Sequence, residues 1–85
     1  MNPELIWSRI KAYAGEVFYT KTGRPYTYHM NNQAVVLENT RRNIPMNNFE
    51  KALAVANPSV SEFNKMNLQG PSYIYGIITD PRIMR

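Results

Sequence analysis

The segment from Val17 to Met30 reads VFYTKTGRPYTYHM and decides the fold class. Aromatic and β-branched residues, which favour strands, lie on both sides of a short polar stretch that contains Gly23. This arrangement is typical of a β-hairpin whose loop spans a few residues. The sequence therefore predicts two paired antiparallel strands, one over 17–20 and the other over 26–30.

A third strand is expected directly after this hairpin. Asn31 and Asn32 tolerate positive φ angles and are suited to a tight turn. Residues 33–38 then read QAVVLE, a short apolar run rich in residues that favour strands. The middle of the chain is therefore predicted to form a three-stranded antiparallel meander.

An amphipathic helix is predicted before the hairpin, from about Pro3 to Ala14. Asn2 can accept hydrogen bonds from the first amides, Pro3 suits the first helical position, and Gly15 can end the helix. The apolar face repeats at helical spacing and should pack on the sheet. Its residues are Ile6, Ile10 and Tyr13.

Two capping-box spacings predict further helices after the meander. Asn47 with Glu50 indicates a helix over residues 46–56, which Asn57-Pro58 would end. Ser59 with Glu62 indicates a short helix from Val60 to about Met66.

The last apolar segment, residues 71–80, carries mixed signals. The isoleucines at 74, 77 and 78 have helical spacing, and Pro71 suits a helix start. Tyr, Ile and Thr prefer strands, however, and Gly76 weakens a helix by about 1 kcal/mol. The pattern favours a helix narrowly over a strand, and Asp80-Pro81 ends it in either case.

Together these elements predict one α+β domain over residues 1–85. It consists of an N-terminal helix, a three-stranded antiparallel meander, and two or three C-terminal helices packed on one face of the sheet. The predicted core comprises Ile6, Ile10, Phe18 or Tyr19, Val35 or Val36, Phe49, Leu53 and Ile77.

Composition limits the possible functions. The sequence has no cysteine, which excludes disulfides, thiolate nucleophiles and the common structural zinc sites. No apolar run approaches the roughly 20 residues that span a bilayer, and the N-terminus lacks the pattern of a secretory signal. We therefore expect a soluble, cytoplasmic domain. Ten Lys and Arg against six Asp and Glu give a net charge of +4, which points weakly to a polyanionic partner.

Catalysis is not expected. His29 is the only histidine, and no spacing nominates an orienting partner for it. The carboxylates are spread evenly along the chain and the four glycines are isolated, so neither a metal site nor a nucleotide cofactor is predicted. His29 would become a catalytic candidate if it met a carboxylate in a pocket that Arg24 or Arg41 also lines.

The stronger functional signal combines cations with aromatic rings. Lys21 and Arg24 bracket the predicted hairpin tip, and two further arginines precede the second helix. If these cations and the tyrosines of the hairpin arms lie on one surface, the cations would bind phosphates and the tyrosines would stack on exposed bases of DNA or RNA. In an alternative mode, the basic hairpin would act as a wing against a duplex. The plainer interpretation is a solvated hairpin tip above tyrosines that form the sheet's apolar face. The candidate nucleic-acid-binding residues are Lys21, Arg24, Arg41, Arg42, Tyr19 and Tyr26.

The alternative hypothesis is a protein-interaction module. The sequence contains six tyrosines in 85 residues, and a domain of this size cannot bury every large side chain. Tyr73 and Tyr75 would then anchor a protein partner or a second copy of the chain, although completion of the core is the plainer role for this segment.

Overall fold

The structure, a computed structural model, describes residues 2–84 and confirms the α+β architecture. Helices enclose two small antiparallel sheets. In chain order the elements are α1 (Pro3–Ala12), β1 (Phe18–Tyr19), β2 (Pro25–Tyr26), β3 (Tyr28–Met30), β4 (Ala34–Leu37), β5 (Asn43–Pro45), α2 (Met46–Leu53), α3 (Val60–Lys65), α4 (Pro71–Ile78) and α5 (Pro81–Met84).

The predicted hairpin is present, but its second strand is divided at Thr27. β1 and β2 form a two-stranded sheet in which Phe18 pairs with Tyr26. β3 pairs instead with β4, and the amide of Gly15, just after α1, donates to the carbonyl of Tyr28 at 2.9 Å. The ladder between β1 and β2 thus ends at Phe18 and Tyr26, and the Gly15 hydrogen bond is a separate contact of the preceding segment with β3.

β5 is the third strand of the larger sheet, in a segment where the sequence predicted a loop. The strand order β3-β4-β5 is a meander, as predicted, but it is shifted one strand along the chain. Ile44 pairs with Val35, and both are fully buried. The segment 43–45 has one apolar residue and ends in proline, which is tolerated only at a sheet edge, so local pattern alone could not identify it.

The predicted cap of the second helix is wrong. α2 begins at Met46, one residue before Asn47, and its N-cap residue Pro45 makes no side-chain hydrogen bond to the helix. The amide of Met46 donates instead to the carbonyl of Gln33 at 2.8 Å, so the sheet anchors the helix start. The helix ends at Leu53, earlier than predicted.

The other helix starts follow the predicted chemistry. Asn2 Oδ1 accepts from the Glu4 amide at 2.9 Å, and Ser59 Oγ accepts from the Glu62 amide at 3.0 Å. The last apolar segment is a helix, as favoured, and begins after Gly70 in a left-handed conformation (φ 54°).

The core lies between the sheets and the helices. The predicted core is confirmed for Ile6, Ile10, Phe49 and Ile77 and, of the two alternative pairs, for Phe18 and Val35. Tyr19 is exposed, and Val36 and Leu53 are only partly buried. Trp7 of α1 packs on Phe49 of α2 with ring centroids 5.6 Å apart. Across residues 2–84, none of the helices has the length and apolar character required to span a membrane.

Candidate nucleic-acid interface

Gly76 brings the β1–β2 hairpin onto α4. A side chain at this position would collide with the Tyr19 carbonyl oxygen and lie 2.6 Å from Tyr26 Oη. The helix and the hairpin therefore approach at backbone distance, which only glycine permits. This contact carries the hairpin loop over the outer side of α4.

One cation from that loop lies over an α4 tyrosine. Lys21 Nζ is 5.6 Å from the centre of the Tyr75 ring, within the range of a cation–π interaction. Lys21 is exposed and Tyr75 is partly buried, so both remain accessible from solvent. Two residues assigned to separate hypotheses from the sequence are thus neighbours.

A second candidate cation lines a cavity together with a tyrosine of α4. Arg42 and Tyr73 line a cavity of about 240 Å³. A Cβ at Gly70 would lie 3.2 Å from Cδ of Arg42, so the glycine leaves room for the arginine stem to pass the helix start. The remaining lining residues are Thr40, Gly70, Pro71 and Ser72. We refer to Lys21, Arg42, Tyr73 and Tyr75 together as the α4 surface. It consists of two cation–tyrosine pairs, because tyrosines two positions apart leave the helix on different sides.

Tyr26 lies beneath this surface. It is only 4% exposed, and its hydroxyl donates to the Tyr73 carbonyl at 3.0 Å. Its ring meets that of Tyr73 edge-on, with centroids 4.9 Å apart. Burial raises the pKa of Tyr26 far above its usual value, so the hydroxyl stays protonated as a donor. Tyr26 therefore positions Tyr73, and its ring is not open to a ligand.

The other candidate residues are exposed, and within residues 2–84 their side chains are not bonded to the α4 surface. Tyr19 is 56% exposed on β1. Arg41 occupies a turn with φ of 57°, and Arg24 lies in the hairpin loop. Among residues 2–84, no hydrogen bond or ion pair joins the side chains of Tyr19, Arg24 or Arg41 to the α4 surface.

Within residues 2–84, no candidate cation has a carboxylate within ion-pair distance. The ion pairs within the described part of the chain join His29 to Glu38, Lys65 to Glu62, and Arg82 to Asp80. None of them includes Lys21, Arg24, Arg41 or Arg42, although Arg42 Nη1 makes a long 3.5 Å contact with Gln69 Oε1. Among residues 2–84, the charges of Lys21, Arg24, Arg41 and Arg42 are therefore not neutralised by a nearby carboxylate.

His29 meets a carboxylate, but outside any described cavity. Its Nδ1 lies 3.0 Å from Glu38 Oε1, and the two side chains are 52% and 54% exposed. Neither residue lines one of the three described cavities. The pair has the contact that a general base requires, but no described cavity contains it together with Arg24 or Arg41.

Sequence reasoning missed a second arginine–aromatic cluster. Arg82 donates two hydrogen bonds to the Asp80 carboxylate, from Nε to Oδ1 at 3.0 Å and from Nη2 to Oδ2 at 3.0 Å. Its Nη2 also donates to the Val17 carbonyl at 2.8 Å. Its guanidinium lies 4.0 Å from the centre of the Phe18 ring. The hydrogen bonds from Arg82 hold the pKa of Asp80 below its usual value, and those to Asp80 raise the pKa of Arg82. We call Phe18, Asp80 and Arg82 the Arg82 cluster.

The Asp80-Pro81 sequence carried a signal for part of this cluster. An aspartate directly before a proline is a common way to begin a helix. Asp80 Oδ1 indeed accepts from the Arg82 amide at 2.9 Å at the start of α5. The packing of Arg82 on β1 had no such local signal.

Within residues 2–84, no group of three or more His, Cys, Asp or Glu side chains is arranged to hold a metal ion. No protein-family model matches the sequence, and no curated protein or solved structure matches it significantly.

Proposed function

We propose that this domain binds nucleic acid through the α4 surface, without catalysing a reaction. The observation that carries the proposal is the pairing of two cations with two tyrosines. Lys21 lies over Tyr75 and Arg42 shares a cavity with Tyr73, and neither cation has a carboxylate within ion-pair distance among residues 2–84.

The cations would bind phosphates. Arg42 presents a planar guanidinium suited to two phosphate oxygens, and Lys21 presents a compact charge. Binding by such groups releases condensed counterions, so affinity should fall as salt rises. The net charge of +4 favours association with any polyanion.

The tyrosines would stack on bases, which favours single strands. Stacking on an aromatic side chain requires a base whose face is exposed. The hairpin is a poor wing for a duplex, because Lys21 is folded back onto Tyr75 and does not extend from the hairpin tip. We therefore infer a preference for single-stranded DNA or RNA over duplex.

The test is fluorescence anisotropy with labelled single-stranded DNA, single-stranded RNA and duplex of the same length, titrated over a range of salt. We expect the double variant Lys21→Gln with Arg42→Gln to bind at least about tenfold more weakly. The slope of log affinity against log salt should become shallower by about 1.4 on single strands, since each lost phosphate contact removes about 0.7.

The matched control is the double variant Lys11→Gln with Lys51→Gln, which removes the same charge from exposed positions on α1 and α2. It should bind nearly as well as the wild type. Affinity no better than millimolar at low salt would overturn the proposal. So would equal weakening in the two double variants, because only net charge would then matter.

A second candidate function is docking of a protein or of a second copy on the same tyrosines. Tyr73 and Tyr75 keep exposed area, whereas Ile74, Ile77 and Ile78 of the same helix are buried. Light scattering across concentration tests self-association. A mass that rises with concentration in the wild type, and stays monomeric after Tyr73→Ser with Tyr75→Ser, would support docking between copies. A constant monomeric mass in the wild type would exclude docking between copies.

A further inference from the structure

A larger cavity lies on another part of the domain, between the second half of α1 and α5. It has a volume of about 400 Å³, within the range of ligand sites. We call it the α1–α5 cleft. It is lined by Arg9, Tyr13, Pro81 and Arg82.

Both arginines of the cleft are held in place. Arg9 Nη1 donates to the Ile83 carbonyl at 2.9 Å, which ties α1 to α5. Arg82 is fixed by Asp80, by the Val17 carbonyl and by the Phe18 ring. Groups that are already ordered lose little conformational entropy when a ligand binds. The cleft therefore presents two preorganised guanidinium groups.

The two guanidinium groups differ in charge balance. Asp80 neutralises Arg82, and Glu16 adds a weaker negative influence on the same arginine. Within the described residues, no carboxylate lies within ion-pair distance of Arg9. Its side chain uses one N–H for the Ile83 carbonyl, and a guanidinium carries five. Among residues 2–84, Arg9 thus has no carboxylate partner, and it has N–H donors to spare.

Exposed apolar side chains flank the cleft. Leu5 and Tyr13 lie four residues before and after Arg9, on the same side of α1, and are 48% and 36% exposed. Val17, whose carbonyl accepts from Arg82, is 45% exposed. Tyr and Arg beside apolar contacts are characteristic of protein interfaces, whereas a phosphate backbone would not require Leu5 or Val17.

We propose that the α1–α5 cleft binds an acidic peptide segment of a protein partner. A carboxylate of that segment accepts from Arg9, with further donation from Arg82. Neighbouring apolar side chains of the segment pack on Leu5, Tyr13 and Val17. The cleft is separate from the α4 surface, so a protein partner and a nucleic acid can be bound together.

The test is fluorescence anisotropy on the full chain, with a short labelled peptide of alternating Glu and Leu. The comparison peptide has Gln at every Glu position. We expect the Glu peptide to bind at least about tenfold more tightly, the difference that one charge-assisted hydrogen bond makes. Arg9→Gln should remove about tenfold of that affinity, and Lys51→Gln, an exposed control on α2, should leave it unchanged.

Tyr13→Ser provides a second variant if Arg9→Gln disturbs the docking of α5, and it should weaken both peptides. An unlabelled single-stranded oligonucleotide should not displace the peptide, whatever its own affinity for the α4 surface. Equal binding of the Glu and Gln peptides, absence of binding, or full retention of affinity in both variants would overturn the proposal.

Discussion

The Arg82 cluster and the α4 surface both place a cation over an aromatic ring. Arg82 lies 4.0 Å from the centre of Phe18, and Lys21 lies 5.6 Å from the centre of Tyr75. In the cluster the cation also forms two hydrogen bonds with Asp80 and donates to the carbonyl of Val17, directly before β1. On the α4 surface the cation has no carboxylate within ion-pair distance among residues 2–84.

The difference shows that the partners of a cation, more than its type, decide its role. The hydrogen bond from Arg82 to the Val17 carbonyl joins α5 to the residue before β1, so the charge of Arg82 stabilises the fold. Lys21 and Arg42 leave most of their donors unused within the described residues, so their charge is available to a ligand. The two regions should therefore respond oppositely to substitution.

The largest effect is expected where β1 meets α4. Gly76→Ala would force a methyl group against the Tyr19 carbonyl oxygen and Tyr26 Oη, and should lower the free energy of unfolding by roughly 3 kcal/mol. An alanine in an unobstructed helix would instead stabilise by about 1 kcal/mol. Urea denaturation measures the change.

Gly23→Ala is the control for this substitution. No atom lies within 4 Å of a Cβ built at Gly23, but its φ of 89° disfavours a side chain, so about 1 kcal/mol should be lost. A larger loss at Gly23 than at Gly76, or stabilisation at Gly76, would contradict the close packing of the hairpin on α4.

Arg82→Gln should lower the free energy of unfolding by about 1–2 kcal/mol. The substitution removes three charge-assisted hydrogen bonds and the contact with Phe18, but the side chain is 34% exposed, so solvent reduces the loss. Arg24→Gln, at an exposed position in the hairpin loop, should change stability by less than about 0.5 kcal/mol. Equal effects of the two substitutions would show that Arg82 has no structural role.

The pH dependence of stability provides an independent measurement of the same cluster. The pKa of Asp80 is lowered by Arg82, so the folded carboxyl stays ionised at pH values where the unfolded one is protonated. The stabilisation is present above the unfolded pKa of about 4 and is lost as pH falls through the folded pKa. Denaturation at a series of acid pH values should show a shallower decline in Arg82→Gln than in the wild type. Identical declines would mean that Arg82 does not lower the pKa of Asp80 in the folded protein.

The α4 surface should show the reverse behaviour. The double variant Lys21→Gln with Arg42→Gln should change the free energy of unfolding by less than about 0.5 kcal/mol, as is usual at exposed positions, while its nucleic-acid affinity falls. Thermal denaturation of the binding-deficient protein measures this. A loss comparable to that of Arg82→Gln would place these cations among the structural ones.

His29→Gln should have the smallest effect. The His29–Glu38 pair is about half exposed, and exposed pairs contribute little to stability. We expect a change below about 0.5 kcal/mol and no change in oligonucleotide affinity. A larger loss of stability or of oligonucleotide affinity would show that the pair has a role that its exposed position does not indicate.

Local chemistry made part of the fold predictable. Asn2, Ser59 and Pro71 lie at helix starts, and their chemistry acts within a few residues. The aromatic and β-branched residues on both sides of Gly23 predicted the hairpin. The division at Thr27 accompanies the pairing of β3 with β4, which local pattern does not reveal.

The sites depended more on tertiary contacts. The cations and tyrosines of the α4 surface were identifiable as candidates, but their pairing across α4 was not, since Lys21 and Tyr75 are distant in sequence. The burial of Tyr26 follows from its contact with Tyr73. The contact of Arg82 with Val17 spans 65 positions, and no short motif encodes it.

The most direct measurement is an amide-shift titration of the isotope-labelled domain with a single-stranded oligonucleotide. The account predicts shift changes at Lys21, Arg42, Tyr73 and Tyr75, with those of Asp80 and Arg82 unchanged. Changes confined to the Arg82 cluster, or no changes at low salt, would contradict the assignment of the α4 surface as the nucleic-acid-binding face.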